Sequence, residues 1–188
     1  MIIIGITGTI GAGKGTIVDF LVQNKNFKHY SVRGFITEEI IRRGLEVNRD
    51  NMVTVANSLR AEHFPGYIAE ELYEQASESG QNCIIESIRT VGEIEILKSK
   101  GNFYLFAVDA SPDLRYKRIL ERKSETDFVS FKEFIENERR EMNSNDPDKQ
   151  NLSACIRLAD FIFENNDAKE DLYNKIEQVI NDIERKNS

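Results

Sequence analysis

The first sixteen residues, Met1 to Thr16, constrain this chain more than any other stretch; they read MIIIGITGTIGAGKGT. Ile2, Ile3, Ile4 and Ile6 form a short β-branched apolar run, the pattern of a strand buried on both faces of a parallel sheet. Gly8-x-x-x-x-Gly13-Lys14 follows at once, with Gly11 and Ala12 inside the turn and Gly15-Thr16 beyond it. Ile17, Val18, Phe20 and Leu21 then begin a helical apolar stripe. Strand, glycine-rich turn, lysine and helix in that order give the phosphate-loop pattern a physical basis. Glycines let the backbone curl so that successive N–H groups point at an anion, and the first helical turn adds its unpaired donors and positive dipole end. Gly8, Gly11, Ala12, Gly13, Lys14, Gly15 and Thr16 are therefore expected to hold a polyphosphate, with the Lys14 charge on its terminal groups and the Thr16 hydroxyl near Mg²⁺. The bland alternative is a glycine-rich connection that holds no ligand. Gly15 intervenes where the strict pattern puts Ser or Thr directly after lysine, which leaves open whether Thr16 meets the metal directly or through water.

A chain of 188 residues fits one domain with a proper core. Its net charge of −7 makes it a poor non-specific nucleic-acid binder, so any polyanion must be met by a local basic cluster. Cys83 and Cys155 lie far apart without metal-type spacing and read as small buried hydrophobes in a reducing compartment. No apolar run approaches the ~18 residues of a membrane span. Met1 begins directly on the strand, leaving no room for a signal or transit peptide, so the cytoplasm is the expected location.

Along the chain, helix one is expected from about Gly13 to Gln23 and a second strand at Lys28–Val32. Between Gly34 and Gly80 the pattern is helical and charged. Ile36, Ile40 and Ile41 are expected on one face, Gly44 as a helix stop, then Val53, Val55, Ala56 and Leu59 on a second helix. Ile68, Leu72 and Tyr73 line a third that ends at Gly80. Asn82–Glu86 and Phe103–Asp109 read as strands. Thr90-x-x-Glu93 and Ser130-x-x-Glu133 read as capping boxes, the second followed by Phe131, Phe134 and Ile135 facing inward. Ser111 and Pro112 open a helix over Asp113–Arg122. After a helix near Leu152–Leu158, Ala159–Glu164 is a last strand, and Asp167-x-x-Glu170 caps a terminal helix with Leu172, Ile176, Val179 and Ile180 on its inner face. Strands alternating with helices imply a parallel sheet covered on both sides. Ligands in such sheets lie beyond the carboxyl ends of the strands, which selects Gly8–Thr16, Glu86–Arg89, Asp109–Ser111 and Asn165–Asn166 as one neighbourhood.

Within it, Glu86 can hold the waters around Mg²⁺ or bind the ion. Arg89 can grip phosphate oxygens bidentately; an Arg–Glu surface pair is the alternative. Arg118 and Arg122 are an i, i+4 pair on one face, with Arg115 on the same helix and Arg139-Arg140 as a second doublet. Both sets flank the polar segment Lys123–Asp127, which reads as an exposed loop able to fold over a nucleotide; the alternative is a solvated charged face. His29 and His63 have no catalytic partner at a useful spacing.

These residues resemble the adenylate-kinase-like group of P-loop nucleoside monophosphate kinases. The likeness runs through GTIGAGKGT, IIESIR, Arg118 and Arg122 before the loop, and ADFIFENN before the last helix. RRGLEVNRDNM, IIESIRTVGEIEIL and FAVDASPDLRYKRILER resemble nucleotide kinases related to dephospho-CoA kinase, and the kinase-like domain preceding some deoxycytidylate deaminases. The deaminase zinc pattern itself is absent. The resemblance implies an α/β, three-layer P-loop NTPase fold: a parallel five-stranded sheet flanked by helices, one kinase domain over 1–188. It also implies a helical acceptor-binding insert at about 34–80 and a short lid at about 123–142.

It further implies ATP with Mg²⁺, Lys14 on the β/γ-phosphates, Arg118 and Arg122 near the transferring phosphoryl, Asn165 beside the nucleotide, and Thr16 and Glu86 toward the metal. A small acceptor would sit against the insert with Arg89 on its phosphate. Glu86 stands where relatives carry Asp. Phe35 and Glu38 stand where they carry an aspartate and an arginine, with Arg33, Arg42 or Arg43 left to compensate. The function read from the chain is a kinase that moves the ATP γ-phosphoryl to a nucleoside or deoxynucleoside monophosphate, with dephospho-CoA as rival acceptor. A nucleotide-sensing module with little transferase activity, and an NTPase acting on protein or nucleic acid, are the other readings. No nucleic-acid or membrane partner is expected.

Overall fold

The isoleucines of the opening run divide between two sides of a sheet. Ile3 joins one buried apolar cluster and Ile4 and Ile6 join another. The computed structural model describes residues 1–122 and 129–187. Among these, five strands, β1 (Ile3–Gly8), β2 (Lys28–Ser31), β3 (Cys83–Glu86), β4 (Phe103–Asp109) and β5 (Phe161–Glu164), form one sheet in the order β2-β3-β1-β4-β5. Every pairing is parallel, with Ile6 opposite Glu86, Gly8 opposite Val108 and Asp109 opposite Glu164. All strands therefore end at the same edge, and β1 lies at its centre.

The connecting helices follow from period and caps. α1 (Lys14–Lys25) and α9 (Lys169–Asn187) cover one face through Ile17, Leu21, Leu172, Ile176 and Ile180. Three helices between β2 and β3, namely α2 (Val32–Arg42), α3 (Arg49–Glu62) and α4 (Tyr67–Ser79), cover the other with α5 (Val91–Ser99) and α8 (Leu152–Arg157). α6 (Pro112–Arg122) and α7 (Phe131–Met142) stand near the strand ends. Both capping boxes form: Thr90 with Glu93 opens α5, and Ser130 with Glu133 opens α7. Each satisfies two otherwise orphaned amides, worth about 1 kcal/mol.

Three local expectations differ. α2 starts at Val32, ahead of Gly34, because the Ser31 side chain accepts the Gly34 N–H and caps it there. Ile41 is 63% exposed, since Ile36 and Ile40 already fill the inward stripe. Phe131 is largely exposed at the first position of α7, where it packs edge-on against Tyr116 while Phe134 takes the buried place. The segment Lys123–Asp127, and with it the first part of the 123–142 lid, lies outside the described residues; the remainder of that range is chiefly α7. Among the described residues no helix is long and apolar enough to cross a membrane.

Candidate functional site

The turn after β1 wraps a cavity of about 530 Å³ whose walls include Gly11, Gly13, Lys14, Gly15 and Thr16. Gly13 sits at φ +111°, and a Cβ there would lie 2.3 Å from Asn165 Nδ2, so the close approach and the left-handed backbone both require glycine. Gly11, at φ +77°, is equally hemmed in, with Arg115 O 2.5 Å from where its Cβ would be. The N–H groups of Gly11, Gly13, Lys14 and Gly15 find no acceptor among the described residues, leaving a row of donors at the head of α1.

Distant elements hold the loop in shape. Asn165, at the exit of β5, donates from Nδ2 to Ala12 O at 2.8 Å. Arg118 of α6 donates to Asn165 O at 2.9 Å and lines the cavity, as does Arg122. Arg115 is buried; it donates to Ala110 O at 2.8 Å and Ile10 O at 3.3 Å and pairs with Glu138 of α7. It is thus a brace of the loop, separate from the Arg118–Arg122 face. Thr9 Oγ1 donates to Asp109 Oδ1 at 2.6 Å, tying the loop to the end of β4.

Lys14 folds back over the loop, with Nζ 2.9 Å from both Gly8 O and Thr9 O. Burial of the ammonium, and then the neighbouring Arg89 charge, bring its pKa down to about 7. Glu86 lines the same cavity, and His29 Nε2 lies 3.1 Å from its Oε2, a partnership that spacing along the chain did not reveal. Burial opposes charge on Glu86, yet the His29 hydrogen bond and the Lys14 charge outweigh it and hold the carboxyl below the ordinary glutamate range. A cation that takes one or two protein oxygens and draws the rest from phosphate and water fits an ionised Glu86 and the Thr16 hydroxyl, both of which line this cavity.

A second cavity, about 170 Å³, opens between the loop, α2, α3 and the end of β3. Val32, Ile36, Met52, Val53 and Ala56 give it an apolar wall, while Arg33, Arg49, Arg60 and Arg89 bring positive charge. Ser87, at φ +72°, turns the chain sharply out of β3 toward Arg89. Arg60 and Glu93 form an ion pair at 2.7 Å on the cavity floor, and the other Glu93 oxygen accepts the Arg89 N–H at 2.8 Å. Arg89 itself is paired with Glu141 of α7 and donates to Gln150 Oε1 at 3.0 Å. Glu141 also takes Arg49.

Arg33, Arg89, Arg118 and Arg122 are therefore at the two cavities, while Arg42 and Arg43 clasp Glu39 on the outer surface of α2. Arg139 and Arg140 are exposed and line neither cavity. Glu38 is exposed and also lines neither, so the acid at that position does not oppose an anion in the second cavity. Phe35 packs against the apolar cluster below it.

The family model described as an AAA domain matches residues 4–144, from the first strand to just beyond α7. A UPF0200 protein of Methanococcus maripaludis (strain C6) is 31% identical over 97% of this chain and 100% of its own length. The chain belongs to the AAA domain family and to the UPF0200 family. Among solved structures, TT1252 from Thermus thermophilus covers 96% of the chain and 97% of its own with a TM-score of 0.61 at 21% identity. A shikimate kinase from Bacteroides thetaiotaomicron covers 96% and 98% at a TM-score of 0.58 and 14% identity. At those identities the likeness is one of fold: the AAA domain chain shares its α/β architecture, a parallel sheet flanked by helices, with both.

Arg49, Arg60, Glu141 and Gln150 of this AAA domain chain were not singled out by sequence reasoning. Two of them carried a signal. Arg60 falls four residues after Ala56 on the buried stripe of α3, and Glu141 falls seven after Phe134 on that of α7. A charge on an apolar stripe marks a buried partner.

Proposed function

We propose that this chain is a phosphotransferase that moves the γ-phosphoryl of ATP to a small nucleotide-like acceptor. The acceptor read from the sequence is a nucleoside or deoxynucleoside monophosphate, in the manner of adenylate-kinase-like enzymes, with dephospho-CoA the rival. One observation carries the reading: the two cavities share a wall made of Gly11, Lys14, Glu86 and Arg122. Two ligands seated on either side would meet there, and little covalent chemistry is asked of a protein that positions them and neutralises charge.

In this reading the loop amides and Lys14 hold the β- and γ-phosphates. Lys14 leaves its two carbonyl partners for the ligand and gains full charge as polyphosphate approaches. Arg118 and Arg122 face the transferring group from α6, and Arg89 faces it from the acceptor side, so charge spread over the equatorial oxygens is met from both directions. Thr16 and Glu86 would hold Mg²⁺, which would supply neutralisation of phosphate charge there. The apolar wall of α2 and α3 keeps water from the acceptor side.

The test is ADP production with ATP and Mg²⁺ across nucleoside monophosphates, deoxynucleoside monophosphates and dephospho-CoA. One acceptor is expected to raise the rate at least a hundredfold, and Lys14→Ala to remove that rise while the far-UV spectrum stays unchanged. Acceptor-independent ADP release throughout the panel overturns the reading in favour of a nucleotide-binding module.

A further inference from the structure

The second cavity already contains an anion, supplied by the chain itself. Glu141 comes from the last turn of α7, is buried, and gives one oxygen to Arg49 and the other to Arg89. Those two guanidiniums come from the start of α3 and the loop after β3, and this carboxylate bridges them. A carboxylate in the last turn of a helix sits at the unfavourable end of the dipole. Burial also opposes its charge, and Arg89 and Arg49 outweigh both, holding its pKa low. Glu141 thus owes its place to the arginines.

The lining of this cavity brings four guanidiniums, Arg33, Arg49, Arg60 and Arg89, together with the Lys14 amine, against two acids, Glu86 and Glu141. Of the four, Arg60 is answered by Glu93 beneath. The surplus suits an anion carrying more charge than Glu141.

We infer that Glu141 is a resident occupant of the acceptor's anion seat and a specificity-determining residue, which an incoming acceptor must displace from Arg49 and Arg89. This rests on reading the second cavity as the acceptor site. A carboxylate ligand brings one charge and two oxygens, the same as Glu141, so the exchange gains nothing. A phosphomonoester brings about −1.5 to −2 charges and three acceptor oxygens, and wins. Glu141 therefore sets a threshold that passes phosphomonoesters and rejects carboxylates of equal size. Displacement also releases the last turn of α7, whose other anchors, Phe134 against Tyr116 and Glu138 against Arg115, lie further toward its start.

The experiment titrates wild type and Glu141→Gln with inorganic phosphate and with acetate by calorimetry, before and after loading with ADP. Removing the resident charge is expected to tighten phosphate binding about tenfold, equivalent to about 1.4 kcal/mol, and to give acetate measurable binding. Arg49→Gln added to Glu141→Gln is expected to erase the gain. Unchanged or weaker phosphate binding in Glu141→Gln overturns the inference, making Glu141 a strut that orders the two arginines; so does a gain that survives Arg49→Gln. A readout that needs no variant is hydrogen exchange in wild type: phosphate is expected to speed exchange over residues 138–142, and slowed or unaltered exchange counts against displacement. Failure of ADP to bind counts against the phosphotransferase reading alone, because the difference between wild type and Glu141→Gln is read with the loop filled or empty.

Discussion

Glu93→Gln probes the floor on which the second cavity stands. The Glu93 carboxylate is fully buried and accepts three donors: Arg60 Nη2 at 2.7 Å, the Arg89 N–H at 2.8 Å and the Thr90 N–H at 3.1 Å. Arg60 is 1% exposed, and its Nε and Nη1 have no hydrogen-bond partner among the described residues. Neutralising Glu93 leaves a guanidinium in the interior without a counter-charge, a change that typically costs about 3–5 kcal/mol. The amide oxygen of glutamine still accepts one of the three donors, so the lower end, about 3 kcal/mol, is expected. At the scale of a domain this size that lowers Tm by about 6–12 °C. Urea and thermal melts followed by far-UV circular dichroism measure it. Adding Arg60→Met removes the stranded charge and is expected to restore most of the loss, the mark of a desolvated pair as opposed to a lost cap. A single-variant cost below about 1 kcal/mol, or a double variant less stable than the single, refutes the reasoning.

Other outcomes follow from the same geometry. Gly13→Ala is expected to reduce ATP affinity at least tenfold in calorimetry, because its Cβ would meet Asn165 Nδ2 at 2.3 Å in a left-handed backbone; an unaltered Kd would mean the loop relaxes freely. Lys14, with its pKa near 7 in the free protein, is expected to take up a proton when polyphosphate stabilises its charge. The sign is uptake above about pH 7 and none well below it, so binding heats at pH 8 should depend on the ionisation enthalpy of the buffer, and identical heats in two such buffers would contradict it. Cys83 and Cys155 are fully buried with thiols pushed up to about 12 by burial, so a colourimetric thiol reagent is expected to label neither in the native protein and both in denaturant.

The sheet was legible in the sequence because its signals are local. Phe103–Asp109 is apolar enough to mark β4 to the residue, and Thr90 and Ser130 announce their capping boxes three residues ahead. The phosphate-loop turn was legible for the same reason, since Gly11 and Gly13 are required by backbone angles within the turn. What the sequence could not show is pairing across the fold. Glu86 with His29 and Glu141 with Arg49 and Arg89 join residues on separate elements, and no spacing rule relates them. The Arg139-Arg140 doublet lies on the exposed side of α7, the solvated face that its alternative reading gave it, and the neighbouring Glu141 is the residue that turns inward.

Asn165 closes the loop around Ala12 from 153 positions further along the chain. During synthesis, every glycine of the opening turn leaves the ribosome long before the amide that fastens it. A nascent chain that has reached only α7 holds the whole phosphate motif yet lacks its clasp. The opening turn is thereby left unfastened until the last strand has joined the sheet edge.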